Sequence, residues 1–220
     1  MNRWIAILGL LLATSWATPG SAATATPASD TAHAIIQRML ALNPLLTSYR
    51  SRVHVNVRML NFPFLAPKLK GTTYFLRPNN YEVVFDRVPR YAKGFSRLFN
   101  DVGDAARWEN AHDVSFEGVR SLHGRPMLAL RLTKKVHSTI LDHATAYIDA
   151  RTFELVEMKW DYTSGGTITM TQRYREEGGF TVLASQHATI DIPHVHAIAD
   201  STYAVYQTNV ALAPSVFEKQ

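Results

Sequence analysis

The stretch Tyr49-Arg50-Ser51-Arg52-Val53-His54-Val55-Asn56-Val57-Arg58-Met59 decides the fold class. Its odd positions are apolar apart from Ser51, and its even positions are polar or charged. Side chains alternate across a strand, so this rhythm of two puts one face in oil and the other in water. The segment is predicted to be a long, half-buried strand.

Working outward, the same rhythm returns. Tyr81, Val83 and Phe85 alternate with Glu82, Val84 and Asp86, and Leu128, Leu130 and Leu132 alternate with Ala129, Arg131 and Thr133. Val156, Met158, Trp160 and Tyr162 oppose Glu157, Lys159 and Asp161. Ile168, Met170 and Tyr174 lie opposite Thr167, Thr169, Thr171 and Arg173, and Phe180 to Ile192 continues the pattern. The breaks are short and carry glycine: His123-Gly124, Ser164-Gly165-Gly166 and Glu177-Gly178-Gly179. Such breaks are hairpin signals, so neighbouring strands are expected to be antiparallel. The result is a mainly β protein with one antiparallel sheet of about ten strands. A sheet that wide curls instead of lying flat.

The concave apolar side needs a cover. Ile35, Ile36, Met39, Leu40 and Leu42 recur at helical spacing, after a cap at Asp30 or Thr31 and before Asn43-Pro44. A second cover is expected from Arg90 to about Trp108, where Tyr91, Phe95, Leu98 and Val102 share one helical stripe. Two short helices over a half-barrel leave either a lined hollow or a space filled by side chains; a hollow is a common home for an apolar ligand.

The start of the chain reads as an address. Met1-Asn2-Arg3 is positive, Ile5 to Ala13 is nearly all apolar, and Ser21-Ala22-Ala23 offers small residues for cleavage. This pattern is a secretory signal peptide spanning residues 1–23, cut near Ala23. A retained anchor needs about 20 apolar residues, and this run is shorter and meets Pro19 and Gly20. Residues 24–220 then form one domain, with no later run long enough for a transmembrane helix. The chain has no cysteine, so disulfides, thiolate metal sites and a lipidated cysteine are all excluded. The 23 Lys and Arg against 18 Asp and Glu are scattered, a surplus that suits anionic partners such as lipid headgroups. No nucleic-acid partner is expected, and the protein is expected to be a monomer.

Taken in order, these elements resemble a known family. Ser48-Tyr49-Arg50 opens the long strand. Gly71 is followed at a fixed distance by Arg77-Pro78-Asn79-Asn80-Tyr81, with Phe85 and Pro89 downstream, and Tyr147-Ile148-Asp149 precedes Phe153-Glu154-Leu155. The pattern is similar to the LolA-like periplasmic lipoprotein carriers and outer-membrane lipoprotein-sorting proteins. That resemblance implies an unclosed half-barrel with helical lids, a cavity for acyl chains, a periplasmic location and transient partner proteins at the inner or outer membrane. It also implies a carrier and not an enzyme. The chain departs from the family in Arg90 to Asn110, which reads as helical where carriers continue with a turn and an aromatic strand, and no single arginine stands out to hold the lid.

The candidate lipid-binding cavity comprises Val53, Val55, Val57, Met59, Tyr81, Val83, Phe85, Met158, Trp160, Tyr162, Ile168 and Met170; methionine and aromatic rings adapt to flexible chains, though part of this set also suits a plain core. Asn61 to Pro67 carries Phe62, Phe64 and Leu65, which read as an entrance flap, a membrane or partner contact, or a loop folded back on the barrel. Tyr91, Phe95 and Leu98, with Arg87, Arg90, Lys93 and Arg97 nearby, form either a lid or a helix at an anionic lipid surface. His194 and His196 make half a metal site with no third ligand at hand, so no metal and no cofactor is expected. Catalytic signatures such as G-x-S-x-G, H-E-x-x-H and the P-loop are missing from the sequence. The competing reading is an envelope sensor or adaptor that binds a protein partner on the same sheet.

Overall fold

The computed structural model describes residues 28–78, 80–88, 105–136, 138 and 140–217. The signal segment 1–23 and the lid residues Tyr91, Phe95 and Leu98 lie outside them.

Helix α1 (Ala28–Leu40) leads into strands β1 (Ser48–Met59), β2 (Lys68–Leu76) and β3 (Asn80–Phe85). Helix α2 (Ala105–Ala111) follows, then β4 (His112–Leu122), β5 (Arg125–Lys134), β6 (Leu141–Asp149), β7 (Leu155–Tyr162), β8 (Thr167–Glu177), β9 (Phe180–Ile192) and β10 (Val195–Thr208). A one-turn 3-10 helix at Pro214–Val216 follows β10. The strands form one ten-stranded sheet in the order β3-β2-β1-β10-β9-β8-β7-β6-β5-β4. Every pairing is antiparallel. Among the described residues β3 and β4 each have one neighbouring strand, so the sheet does not close. The expected fold class is therefore the observed one: an unclosed antiparallel sheet with an N-terminal helix and a second short helix.

The alternation in β1 works as the sequence suggests. Val53, Val55 and Val57 are buried while His54, Asn56 and Arg58 are exposed. Ser51, the polar exception, is buried too, and its hydroxyl bonds the Thr73 hydroxyl of β2 at 2.8 Å. Pairing the two hydroxyls removes the penalty of burying either one alone. Gly71 of β2 is required by the close approach of β3, because a Cβ there would lie 2.5 Å from the Val84 carbonyl oxygen.

The covers act at one part of the sheet. α1 packs on α2 and β4, and His33 of α1 meets Glu109 of α2 at 2.9 Å. Ala32, Ile35, Ile36 and Trp108 join the strand residues Val53, Val55, Leu130, Ala146, Ile148 and Met158 in one apolar core. Trp108 closes the segment expected to be a lid; it is buried, 3% exposed.

Candidate functional site

β1 enters the sheet beside the α1–β1 connection, and β2, β8 and β10 end at this same edge while β3, β7 and β9 begin there. Here the core stops short of filling the space. A hollow of about 440 Å³ opens between the end of α1 and the sheet. That volume lies in the range of roughly 300–1,000 Å³ typical of small-molecule sites. Met39, Leu40, Leu42 and Leu46 form its helical side, and Tyr49, Phe75, Tyr81, Leu155, Tyr174 and Leu183 form much of its strand side.

Three anchors fix this wall. Arg77 donates from Nε to the Leu46 carbonyl at 2.6 Å and from its other end to the Asn43 carbonyl, holding the α1–β1 connection against the end of β2. Asn43 exchanges two hydrogen bonds with the backbone of Thr181, giving its Nδ2 to the carbonyl at 2.8 Å and receiving the N–H on Oδ1 at 3.0 Å. The Arg38 guanidinium lies over the Phe153 ring, 5.0 Å from its centre.

The strand side is a nest of aromatic rings. Tyr49 stacks on Phe75 at 5.3 Å and meets Tyr206 edge-on at 5.4 Å. The phenols have acceptors: Tyr206 donates to the Leu183 carbonyl at 2.7 Å, Tyr174 to the Leu155 carbonyl at 3.2 Å, and Tyr203 to the Gln186 amide oxygen. Burial is the main reason that Tyr49, Tyr81, Tyr174 and Tyr203 are pushed far above the ordinary phenol value. Tyr206 is raised to about 12 for the same reason, although Ser51 and Arg175 oppose the shift. All five stay neutral at physiological pH, so they orient polar groups and bring no charge into the hollow.

The sequence-predicted residues fall in three places. Tyr81 lines the hollow. Val53, Val55, Val57, Val83, Met158, Ile168 and Met170 are buried in the core, and Met59, Phe85, Trp160 and Tyr162 pack partly buried against it. Phe62 and Phe64 are exposed and Leu65 is half-buried on the β1–β2 connection, at the opposite end of β1 from the hollow. An entrance flap for this hollow would have to sit at the other end. His196 pairs with Asp191 at 2.7 Å, and among the described residues no group of three His, Asp or Glu is placed to hold a metal. Sequence reasoning missed Met39, Leu42, Leu46, Phe75, Phe153 and Leu183 as lining residues. Their one shared signal was weak: each sits near the end of an element or in the connection beside it.

Asp149, noted for its place before a strand, has a structural task. Its Oδ1 accepts the N–H groups of Arg151 at 2.9 Å and Thr152 at 3.2 Å, and Arg125 lies 3.2 Å from Oδ2. Burial alone would raise this carboxyl, but those donors outweigh it and hold it below the usual range.

No family model and no curated protein matches the sequence. The fold does have matches. It is similar to that of a DUF1329 family protein from Desulfovibrio piger, with 12% identity, 88% of this chain and 98% of that chain covered, and a TM-score of 0.69. It is similar to a LolA superfamily protein from Nitrosomonas europaea (12% identity, 84% and 96% covered, TM-score 0.64). It is also similar to an outer membrane lipoprotein-sorting protein domain from Vibrio parahaemolyticus (8% identity, 87% and 97% covered, TM-score 0.66). The class the architecture defines is thus the LolA-like fold. At these identities the likeness concerns the path of the backbone.

Proposed function

We propose that this chain is a periplasmic carrier. It holds acyl chains of a lipoprotein or another lipid in the hollow and hands them on across the envelope toward the outer membrane. Residues 1–23 act as a signal peptide and residues 24–220 as the lipid-binding domain. Transient contacts with membrane partner proteins load and unload it, and the protein works as a binder without catalysis.

The observation that carries this reading is the hollow itself: about 440 Å³ between the end of α1 and an aromatic wall. Burying an acyl chain yields about 0.8 kcal/mol per methylene, so a partly enclosed hollow suffices for useful affinity. The lining suits a long apolar guest with a modest polar end, since Asn43, Gln172 and Gln186 are the amides among its walls. The LolA-like fold supports the same reading through relatives whose names speak of lipoprotein sorting.

The test is direct. Protein purified from its native compartment is extracted and the extract examined by mass spectrometry; delipidated protein is then titrated with a fluorescent fatty acid. Co-purifying lipid and saturable uptake are expected. An empty protein that also takes up no fatty acid refutes the carrier reading.

A further inference from the structure

The end of the sheet opposite the hollow carries the second feature of the molecule. Half of the large exposed apolar side chains among the described residues, namely Leu60, Phe62, Phe64, Val136 and Ile140, lie on the β1–β2 and β5–β6 connections of this one end. Phe64 is 80% exposed. Its ring meets that of Phe62 edge-on at 6.2 Å, and neither is folded into the core.

The backbone of the β1–β2 connection is nevertheless tied down. Leu60 donates its N–H to the His196 carbonyl at 2.7 Å, and Asn61 gives its Nδ2 to the His194 carbonyl at 2.9 Å. Within the connection, Leu65 donates to the Phe62 carbonyl at 2.8 Å and Met59 to the Leu65 carbonyl at 3.2 Å. A connection held this firmly displays its rings outward at little entropic cost on binding.

The flanking charge says what the rings would meet. From residue 48 to residue 81 there is no Asp or Glu; Arg58, Lys68 and Lys70 are the basic residues of this stretch nearest the connection, while Arg50 and Arg77 lie toward the hollow end. Of the acids toward this end, Asp86 pairs with Arg52 at 2.9 Å, Asp191 with His196 at 2.7 Å, Asp200 with His187 at 2.7 Å and Asp161 with Lys159 at 2.8 Å, while the exposed Asp113 sits on β4, at the far margin of the sheet from the β1–β2 connection. Arg58 and Lys68, which bracket the aromatic connection, are exposed and have no acidic partner among the described residues. Large apolar side chains flanked by two cations without acidic partners match an anionic bilayer, where rings enter the headgroup boundary and cations meet phosphates.

We infer that the end of the sheet formed by the β1–β2 connection is a docking surface for an anionic lipid bilayer, with Phe62 and Phe64 inserted and Arg58 and Lys68 at the headgroups. This goes beyond the carrier reading and stands apart from it, because the surface lies at the other end of β1 from the hollow. Docked in this way, the molecule keeps the hollow end away from the membrane and free for a partner protein.

The experiment uses the full mature chain and vesicles of phosphatidylcholine, alone or mixed with phosphatidylglycerol. Sedimentation should show binding to the mixed vesicles that fades as salt rises. Phe64→Ser should weaken that binding about ten- to a hundredfold, the effect of losing one inserted ring. Arg58→Glu with Lys68→Glu should abolish the preference for phosphatidylglycerol, with about a fivefold loss for each cation removed. Circular dichroism should be unchanged in both variants, and uptake of a fluorescent fatty acid should match the wild type. Equal binding to both vesicle types, or full binding by Phe64→Ser, overturns the inference. So does a concentration-dependent dimer that Phe64→Ser dissolves, since the rings would then serve a second copy of the chain. Loss of fatty-acid uptake in the wild type would count against the carrier reading alone.

Discussion

Replacing Leu183 by Trp tests the location of the site most sharply. Leu183 is half-buried on β9, pairs with Tyr174 across the sheet and shares the wall of the hollow with Met39, Leu42 and Tyr174. Its carbonyl, which accepts the Tyr206 hydroxyl, is backbone and survives the change. The indole therefore enters the hollow without breaking the hydrogen bonds around it. Suppose the guest buries about eight methylenes there and the ring displaces about four of them; the loss is then about 3 kcal/mol. That corresponds to about a hundredfold rise in Kd, read by titrating delipidated protein with a fluorescent fatty acid. Met170→Ala is the matched control. Met170 is 2% exposed in the core, so its truncation should cost about 2–5 kcal/mol of stability and leave Kd nearly unchanged. Should Met170→Ala abolish binding while Leu183→Trp binds normally, the guest lies under the middle of the sheet and the assignment of the hollow fails.

Arg77→Met removes the donors that hold the carbonyls of Leu46 and Asn43. It should speed release of the bound fatty acid and expose residues 41–47 to proteolysis, measured by stopped-flow displacement and limited digestion; unchanged rates of both would refute the clamp. Asp149→Ala should lower stability by about 2 kcal/mol by stranding two N–H donors, with Asp149→Asn costing less, measured by urea denaturation. Because this carboxyl is held below its ordinary 3.8, its contribution is full above that pH and fades as pH falls through the folded value. The penalty of Asp149→Ala should therefore shrink in acid. Alkali acts through the tyrosines. The unfolded chain releases phenol protons near pH 10, but the folded state keeps them, Tyr206 to about 12. Stability is thus full below pH 10 and falls above it as pH climbs toward the folded values. Tyrosinate absorbance from the buried rings should rise together with loss of circular dichroism, and a smooth titration of every tyrosine near pH 10 with the fold intact would contradict this.

The sheet was legible wherever one face was large and apolar and the other charged. β1 is the plainest instance, with Val53, Val55 and Val57 inside and His54, Asn56 and Arg58 outside. Where small residues do the packing, the rhythm was silent. β10 lies between β1 and β9, yet its inward positions include Ala197, Ala199 and Ser201. In β6, Ala144, Thr145 and Ala146 are all buried, so no alternation survives there. The site was harder still. Periodicity marks which face of a strand is wet, but it does not tell how far along that strand the covering helices reach. Ile35, Ile36 and Trp108 share a core with Val53, Val55 and Met158. The hollow is left to residues near the ends of elements, such as Leu42, Phe75, Phe153 and Leu183. Each owes its place to three-dimensional convergence, which a one-dimensional pattern does not record.

The seam between β1 and β10 has a kinetic consequence. Val53 lies opposite Tyr203 and Val57 opposite Ala199, so the interior of the sheet joins segments far apart in sequence. Such distant pairings close slowly, because the intervening chain must surrender its freedom before they form. Until residues 195–208 arrive, β1 and β9 present raw, unpaired borders, a template on which other chains could stack. The same step that completes the centre of the sheet, the docking of residues 195–208, therefore also removes the surface on which chains would associate.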